Sequence, residues 1–152
     1  MKLCVISDTH ASSMQQVSPA VVSALQDSDL IIHAGDFCYL QVYQELCRLG
    51  DVRAVYGNND SAEVRRLLPD TQLLEIGGKK IGLVHGWGAA WGMEQKILRK
   101  FSNVDMVIYG HTHKPRNEMV QGVCLFNPGS ASRSYGIIEI DTEIRGCIVQ
   151  LY

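Results

Sequence analysis

His111 and His113, separated by one residue, follow the apolar run Val104 to Tyr109 and a break at Gly110. A neutral imidazole carries one donor and one acceptor, so a pair of them at a strand end is poorly placed in a core. As metal ligands they are well placed, because one ring nitrogen binds a cation while the other meets an orienting partner. Four further apolar segments end in the same manner. Lys2 to Ile6 runs into Asp8 and His10, Leu30 to His33 into Asp36, Asp51 to Tyr56 into Asn58, and Lys79 to Val84 into His85. One aspartate after a strand is explained by helix capping and one histidine by loop packing. Seven N- and O-donor residues in the same position of five strands are not.

Aspartate, asparagine and histidine without thiolate form a hard-to-borderline donor set, suited to manganese, iron, zinc or nickel and poorly suited to a closed structural zinc. Seven donors exceed what a four-coordinate ion takes. Two divalent ions about 3.5–4 Å apart, sharing a carboxylate, would use all seven and would form a clamp for displacement at phosphorus. Two such ions, the carboxylates of Asp8 and Asp36 and one bridging hydroxide leave a single net positive charge to attract a phosphate anion. The neutral amide of Asn58 preserves that excess.

The elements that must carry these donors alternate through the first half of the chain. Ser18-Pro19 predicts a capped helix with Val17, Val21 and Leu25 on one face. Residues 39–49 predict an amphipathic helix with Leu40, Tyr43 and Cys47 inward, closed by Gly50. Residues 62–68 predict a short helix stopped before Pro69, and Gly77-Gly78 a two-residue hairpin turn between 72–76 and 79–84. Residues 92–102 predict a helix with Met93, Ile97 and Phe101 as its buried stripe. Val123 to Phe126 leads into Asn127-Pro128-Gly129-Ser130, and residues 135–140 and 144–151 predict a closing antiparallel pair. Alternation of strand and helix implies right-handed parallel units, whose ligands bind beyond the carboxyl ends of the strands.

Length and composition bound the reading. A chain of 152 residues is expected to form one domain, 1–152, able to bury a core without disulfides. A formal charge of -2 argues against an extended nucleic-acid track. No run approaches the roughly 18 apolar residues of a membrane span, and no signal-peptide layout precedes the first strand, so the expected location is cytoplasmic. Five scattered cysteines suit reduced thiols, with Cys38 as a conceivable ligand.

Asp8-x-His10, Gly35-Asp36, Gly57-Asn58-Asn59-Asp60, His85 after an apolar strand and Gly110-His111-x-His113 resemble, in type and order, the motifs of the calcineurin-like metallophosphoesterases. In size and in Ser7-Asp8-Thr9-His10 and Asn127-Pro128-Gly129-Ser130, the chain looks like the small single-domain phosphodiesterase branch of bacteria and archaea. The resemblance implies an α/β fold, a two-sheet β-sandwich flanked by helices. It implies Asp8, His10, Asp36 and His113 on one ion and Asp36, Asn58, His85 and His111 on the other, with Asp36 bridging. It implies in-line hydrolysis of a small phosphodiester by hydroxide generated at the metals. Many members carry histidine where this chain has Asn59; an amide donates a hydrogen bond to phosphate but delivers no proton at neutral pH. Aryl or nucleotide-like leaving groups are therefore expected.

Around this set, Asp60 is expected to cap the following helix or to orient a ligand, and His33 to hydrogen-bond near Asp36 or simply to be buried. Asn127 either reaches the pocket or builds a turn. Trp87 and Trp91 either wall the substrate cleft or pack over a helix, and Lys114 and Arg116 either help attract anions or are simply solvated. Homo-oligomerisation is left open. Two other readings stand beside the hydrolase: a protein-interaction scaffold, as in the retromer subunit of this fold, and a DNA-processing nuclease, disfavoured by length and charge.

Overall fold

The computed structural model describes residues 1–152. Its strands are β1 (Lys2–Ile6), β2 (Leu30–His33), β3 (Val52–Ala54), β4 (Thr71–Ile76), β5 (Lys79–Val84), β6 (Met106–Ile108), β7 (Arg116–Val120), β8 (Val123–Asn127), β9 (Ser134–Ile140) and β10 (Ile144–Gln150). Its helices are α1 (Pro19–Gln26), α2 (Leu40–Leu49), α3 (Ala62–Leu67) and α4 (Met93–Lys100), with a 3-10 turn at Met14–Gln16. One sheet has the order β10-β9-β1-β2-β3 and the other β4-β5-β6-β8-β7. The two-sheet α/β sandwich expected from the sequence is the fold observed.

Side-chain alternation on the strands builds three layers of packing. Leu3 and Val5 of β1 face inward and meet Ile81, Leu83, Ile108, Phe126 and Ile138 between the sheets. Cys4 and Ile6 face outward and pack under Val21 and Leu25 of α1, Val42 and Leu46 of α2, and Val64 of α3. On the far face, Val84, Val107 and Leu125 pack under Met93 and Ile97 of α4. Each such fully buried aliphatic side chain contributes roughly 1.5–3 kcal/mol, and together they hold both sheets rigid beneath their loops.

The strands that carry the donors run parallel: β1 with β2, β2 with β3, and β5 with β6. Their carboxyl ends meet at one edge of the sandwich, where the His111 backbone N–H donates to Asp8 Oδ2 at 3.2 Å and the Gly110 N–H to the His85 carbonyl at 3.0 Å.

Three local expectations are corrected. The inward face of α2 is Val42 and Leu46, with Leu40 and Tyr43 at its margin, and Cys47 is exposed. Apolar residues at 40, 42, 43, 46, 47 and 49 leave the facing direction ambiguous by about one residue step, and docking on Cys4 and Ile31 decides it. Arg116–Val120, for which the sequence reading named no element, is an edge strand paired with β8. Phe101 lies just past the end of α4, half-buried against Gly82.

Candidate metal centre

Five of the seven donors have left-handed backbone: Asp8 (φ 53°), His10 (φ 44°), Asp36 (φ 63°), His111 (φ 68°) and His113 (φ 61°). Such conformations cost non-glycine residues roughly 1–3 kcal/mol each and persist only where the surroundings over-determine them. Here they turn the side chains back over the strand ends. Glycine is needed where the loops close tightest, because a Cβ on Gly57 would overlap Asp36 Oδ1 and one on Gly110 would overlap Ser7 Oγ.

Two groups able to hold a metal ion result, one of Asp8, His10 and His113 and one of Asp8, Asp36 and His85. Asp36 Oδ2 lies 3.4 Å from His10 Nε2 and 3.3 Å from His85 Nε2. Asp8 Oδ1 lies 3.3 Å from His113 Nε2. The histidines form two pairs, His10 with His113 and His85 with His111, their ring centres 5.4 and 5.2 Å apart. Asn58 Oδ1 stands 3.1 Å from both His85 Nε2 and His111 Nδ1.

Backbone carbonyls select which ring nitrogens face the centre. His85 Nδ1 donates to the Ala34 carbonyl and His111 Nε2 to the Gly88 carbonyl, each at 2.7 Å. In the neutral rings this leaves lone pairs on His85 Nε2 and His111 Nδ1, both aimed at the Asn58 carbonyl oxygen. Three acceptors turned on one another are satisfied by a cation or protons between them. Asp8 Oδ1, buried with no hydrogen-bond partner, requires the same. The residues present thus fit a metal centre on their own chemistry.

The electrostatics agree. Burial pushes the Asp8 carboxyl up, only partly offset by His85. Burial also pushes the Asp36 carboxyl up, but hydrogen bonding and charge from His85 and donors on Asn59 outweigh it and hold Asp36 well below the usual range. His85 shows the mirror image: burial lowers it, and the Asp36 and Asp8 carboxylates raise it overall. Asp36 thus stays anionic, and the positive charge that it and Asp8 draw onto His85 marks where a cation would sit.

Around the donors, the Asn59 backbone N–H donates to Asp36 Oδ1 and its amide to Asp36 Oδ2, both at 2.9 Å. Asp60 does not cap α3; Ser61 does, accepting from the Val64 N–H. Instead Asp60 Oδ2 accepts from the backbone N–H groups of Asp36 and Gly57, and its Oδ1 from that of Cys38. His33 is buried against Phe37, accepts from the Gly35 N–H and meets Thr9 Oγ1 at 3.3 Å. Burial, then the charge of His85, pushes its pKa down to about 3. Asn127 builds its turn and also braces the histidine loop, donating to the Gly110 carbonyl and Thr112 Oγ1.

Trp87 lines a cleft of about 270 Å³ that adjoins Asn58 and His85, whereas Trp91 is 91 % exposed and outside it. Lys114 is exposed, but Arg116 is tied to Glu94, which also accepts from the Tyr109 hydroxyl. Cys38 Sγ lies 3.3 Å from His10 Nδ1, behind the donor nitrogen. Sequence reasoning missed Ser7, which donates to Asp8 Oδ2; Ser130, which donates to the Asp8 carbonyl; and Arg65, which donates to the carbonyls of Asn58 and Asp60. The hydroxyl flanking Asp8 was the available signal for Ser7. Nothing local marked Arg65.

Residues 1–143 match the calcineurin-like phosphoesterase superfamily domain. A probable metallophosphoesterase of Methanocaldococcus jannaschii is 37 % identical over 134 residues, covering 86 % of this chain and 68 % of that protein. An archaeal phosphodiesterase structure superposes with a TM-score of 0.78 at 28 % identity, covering 98 % of this chain and 100 % of the other. Vps29 of Entamoeba histolytica, solved with zinc, superposes with a TM-score of 0.77 at 27 % identity and 99 % coverage of both. With the donor residues gathered at the strand ends, these likenesses show that the chain belongs to the calcineurin-like phosphoesterase superfamily.

Proposed function

We propose that the chain is a metal-dependent phosphodiesterase. Asp8, His10, Asp36 and His113 would hold one divalent ion and Asp36, Asn58, His85 and His111 a second, manganese in the first place, with iron, zinc or nickel also suited to the donors. The observation that carries this reading is Asp36 Oδ2, set at 3.3–3.4 Å from one histidine of each pair. When bound, the ions supply Lewis-acid polarisation of the phosphoryl group and lower the pKa of water at the site.

The chain's own residues do the rest. Asn59, with both donors on Asp36, holds that carboxylate in one orientation between the histidine pairs. Its amide has no proton to deliver to a departing alkoxide, so the reaction relies on leaving groups that depart as anions, such as a phenolate or a nucleotide joined through its own phosphate. Asp60 fixes the loop that presents Asp36, and Asn127 fixes the loop that presents His111.

Hydrolysis of bis(p-nitrophenyl) phosphate with added manganese tests the proposal, with His111→Ala as the comparison. Metal-dependent turnover lost by about a hundredfold or more in the variant supports it, as expected when a metal ligand is removed. A second reading, a protein-interaction scaffold, is favoured by the likeness to Vps29 along nearly the whole chain. Absence of metal-dependent turnover in the unaltered protein would select the scaffold.

A further inference from the structure

The cleft beside Asn58 and His85 is not explained by metal ligation. Tyr56, just after β3, lines it, with the Arg65 guanidinium 5.2 Å from its ring centre. Trp87, just after β5, lines it as well, with the Lys100 ammonium 4.9 Å from its ring centre. Asp70 is the one carboxylate in the lining. Two aromatic rings, each already paired with a cation, thus stand next to two of the donor residues. An aromatic face attracts a flat ring by stacking, and the attached cations attract a negative charge carried by that ring's substituent.

We propose that this cleft is the subsite for one ester group of the substrate, and that the group it takes is a nucleotide, an aromatic base bearing its own phosphate. This rests on the phosphodiesterase reading above. Trp87 stacks on the base, Lys100 and Arg65 meet the phosphate, and Asp70 accepts from hydroxyl or amino groups. An uncharged aryl group uses only the stacking, and a bare anion only the cations. The loop after β5 links the subsite to the donors, because Gly88, next to Trp87, supplies the carbonyl that orients His111.

The test uses the manganese-loaded Trp91→Phe protein, in which Trp87 is the sole remaining tryptophan of two. 5′-AMP, adenosine and inorganic phosphate are titrated while Trp87 fluorescence is read, and turnover of bis(p-nitrophenyl) phosphate is followed in parallel. The expected result is saturable quenching by 5′-AMP, about tenfold weaker binding of adenosine, and no quenching by phosphate. Adding Lys100→Ala should weaken 5′-AMP about tenfold and leave adenosine nearly unchanged, and Trp87→Ala should relieve inhibition by 5′-AMP to a similar degree. Turnover without quenching by 5′-AMP, or 5′-AMP affinity indifferent to Lys100→Ala, overturns the subsite and leaves the hydrolase reading standing. Quenching by 5′-AMP without metal-dependent turnover overturns the hydrolase reading and the subsite assignment with it.

Discussion

Asp60 Oδ2 accepts a hydrogen bond from the backbone N–H of Asp36 at 2.9 Å, although the two residues lie 24 positions apart and belong to different strand ends. The same carboxylate takes two more backbone donors, Gly57 at 2.7 Å and Cys38 at 2.7 Å. It therefore locks the loop after β2 to the loop after β3, and with it the relative placement of Asp36 and Asn58.

Asp60→Ala would leave three N–H groups without their acceptor, at about 1–3 kcal/mol for each that stays buried. We expect a fall in thermal midpoint and a loss of manganese affinity of about 10–100-fold. Calorimetric titration beside thermal unfolding checks both; affinity equal to that of the unaltered protein would refute the locking role.

Gly57→Ala probes the same junction sterically. Its Cβ would overlap Asp36 Oδ1, so the carboxylate must rotate off Asn59 or the loop must shift. We expect activity to fall at least about tenfold while stability drops by about 1–3 kcal/mol. Steady-state kinetics on an aryl phosphodiester decides; full activity would show that Asp36 has room to spare.

Removing and restoring the metal tests the donor count. Seven donors, Asp36 among them, are expected to take two ions per chain after reconstitution, and chelation is expected to lower the unfolding temperature by releasing the ligand contribution to stability. Elemental analysis finding a single ion per chain at saturation would remove the two-ion arrangement.

Leaving-group dependence tests the role given to Asn59. General acid help is worth typically about 10²–10⁴-fold, and an amide gives none. At equal metal loading, aryl phosphodiesters should therefore react faster than alkyl ones by at least about a hundredfold. Similar rates on the two would mean that another group protonates the leaving oxygen.

His33 sets a pH dependence in the metal-free protein. Its folded pKa, about 3, lies below the ordinary value of 6.5, so between these values the unfolded chain binds the extra proton. Its contribution to stability is complete above about pH 6.5 and falls as pH drops toward 3, by about 1 kcal/mol per pH unit. The raised Asp8 carboxyl acts in the opposite sense at acid pH, so the comparison is with His33→Gln, in which the His33 slope should vanish. Parallel denaturation series at pH 7 and pH 5 measure it; equal slopes in the two proteins would contradict the assignment.

Much was legible in the sequence because the informative features are local. An apolar run shows a strand, and a donor just after it shows what the strand end presents, so Asp8, His10, Asp36, Asn58, His85, His111 and His113 could be picked out and their common edge expected. The Gly77-Gly78 hairpin and the Ser18-Pro19 helix start followed from the same kind of signal, and the two-sheet sandwich from resemblance. Tertiary structure alone decided the rest. Val42 rather than Cys47 faces inward on α2 because the sheet below selects one of two adjacent apolar stripes. Arg116–Val120 is a strand because β8 supplies the hydrogen bonds that its polar side chains do not advertise. Asp60 lost the cap to Ser61 and became an anchor for Asp36, and Arg116 lies against Glu94 instead of water, because partners tens of residues away offered unmet donors and acceptors. Periodicity reports which way a side chain leaves its own backbone; what it meets there depends on how distant segments close upon one another.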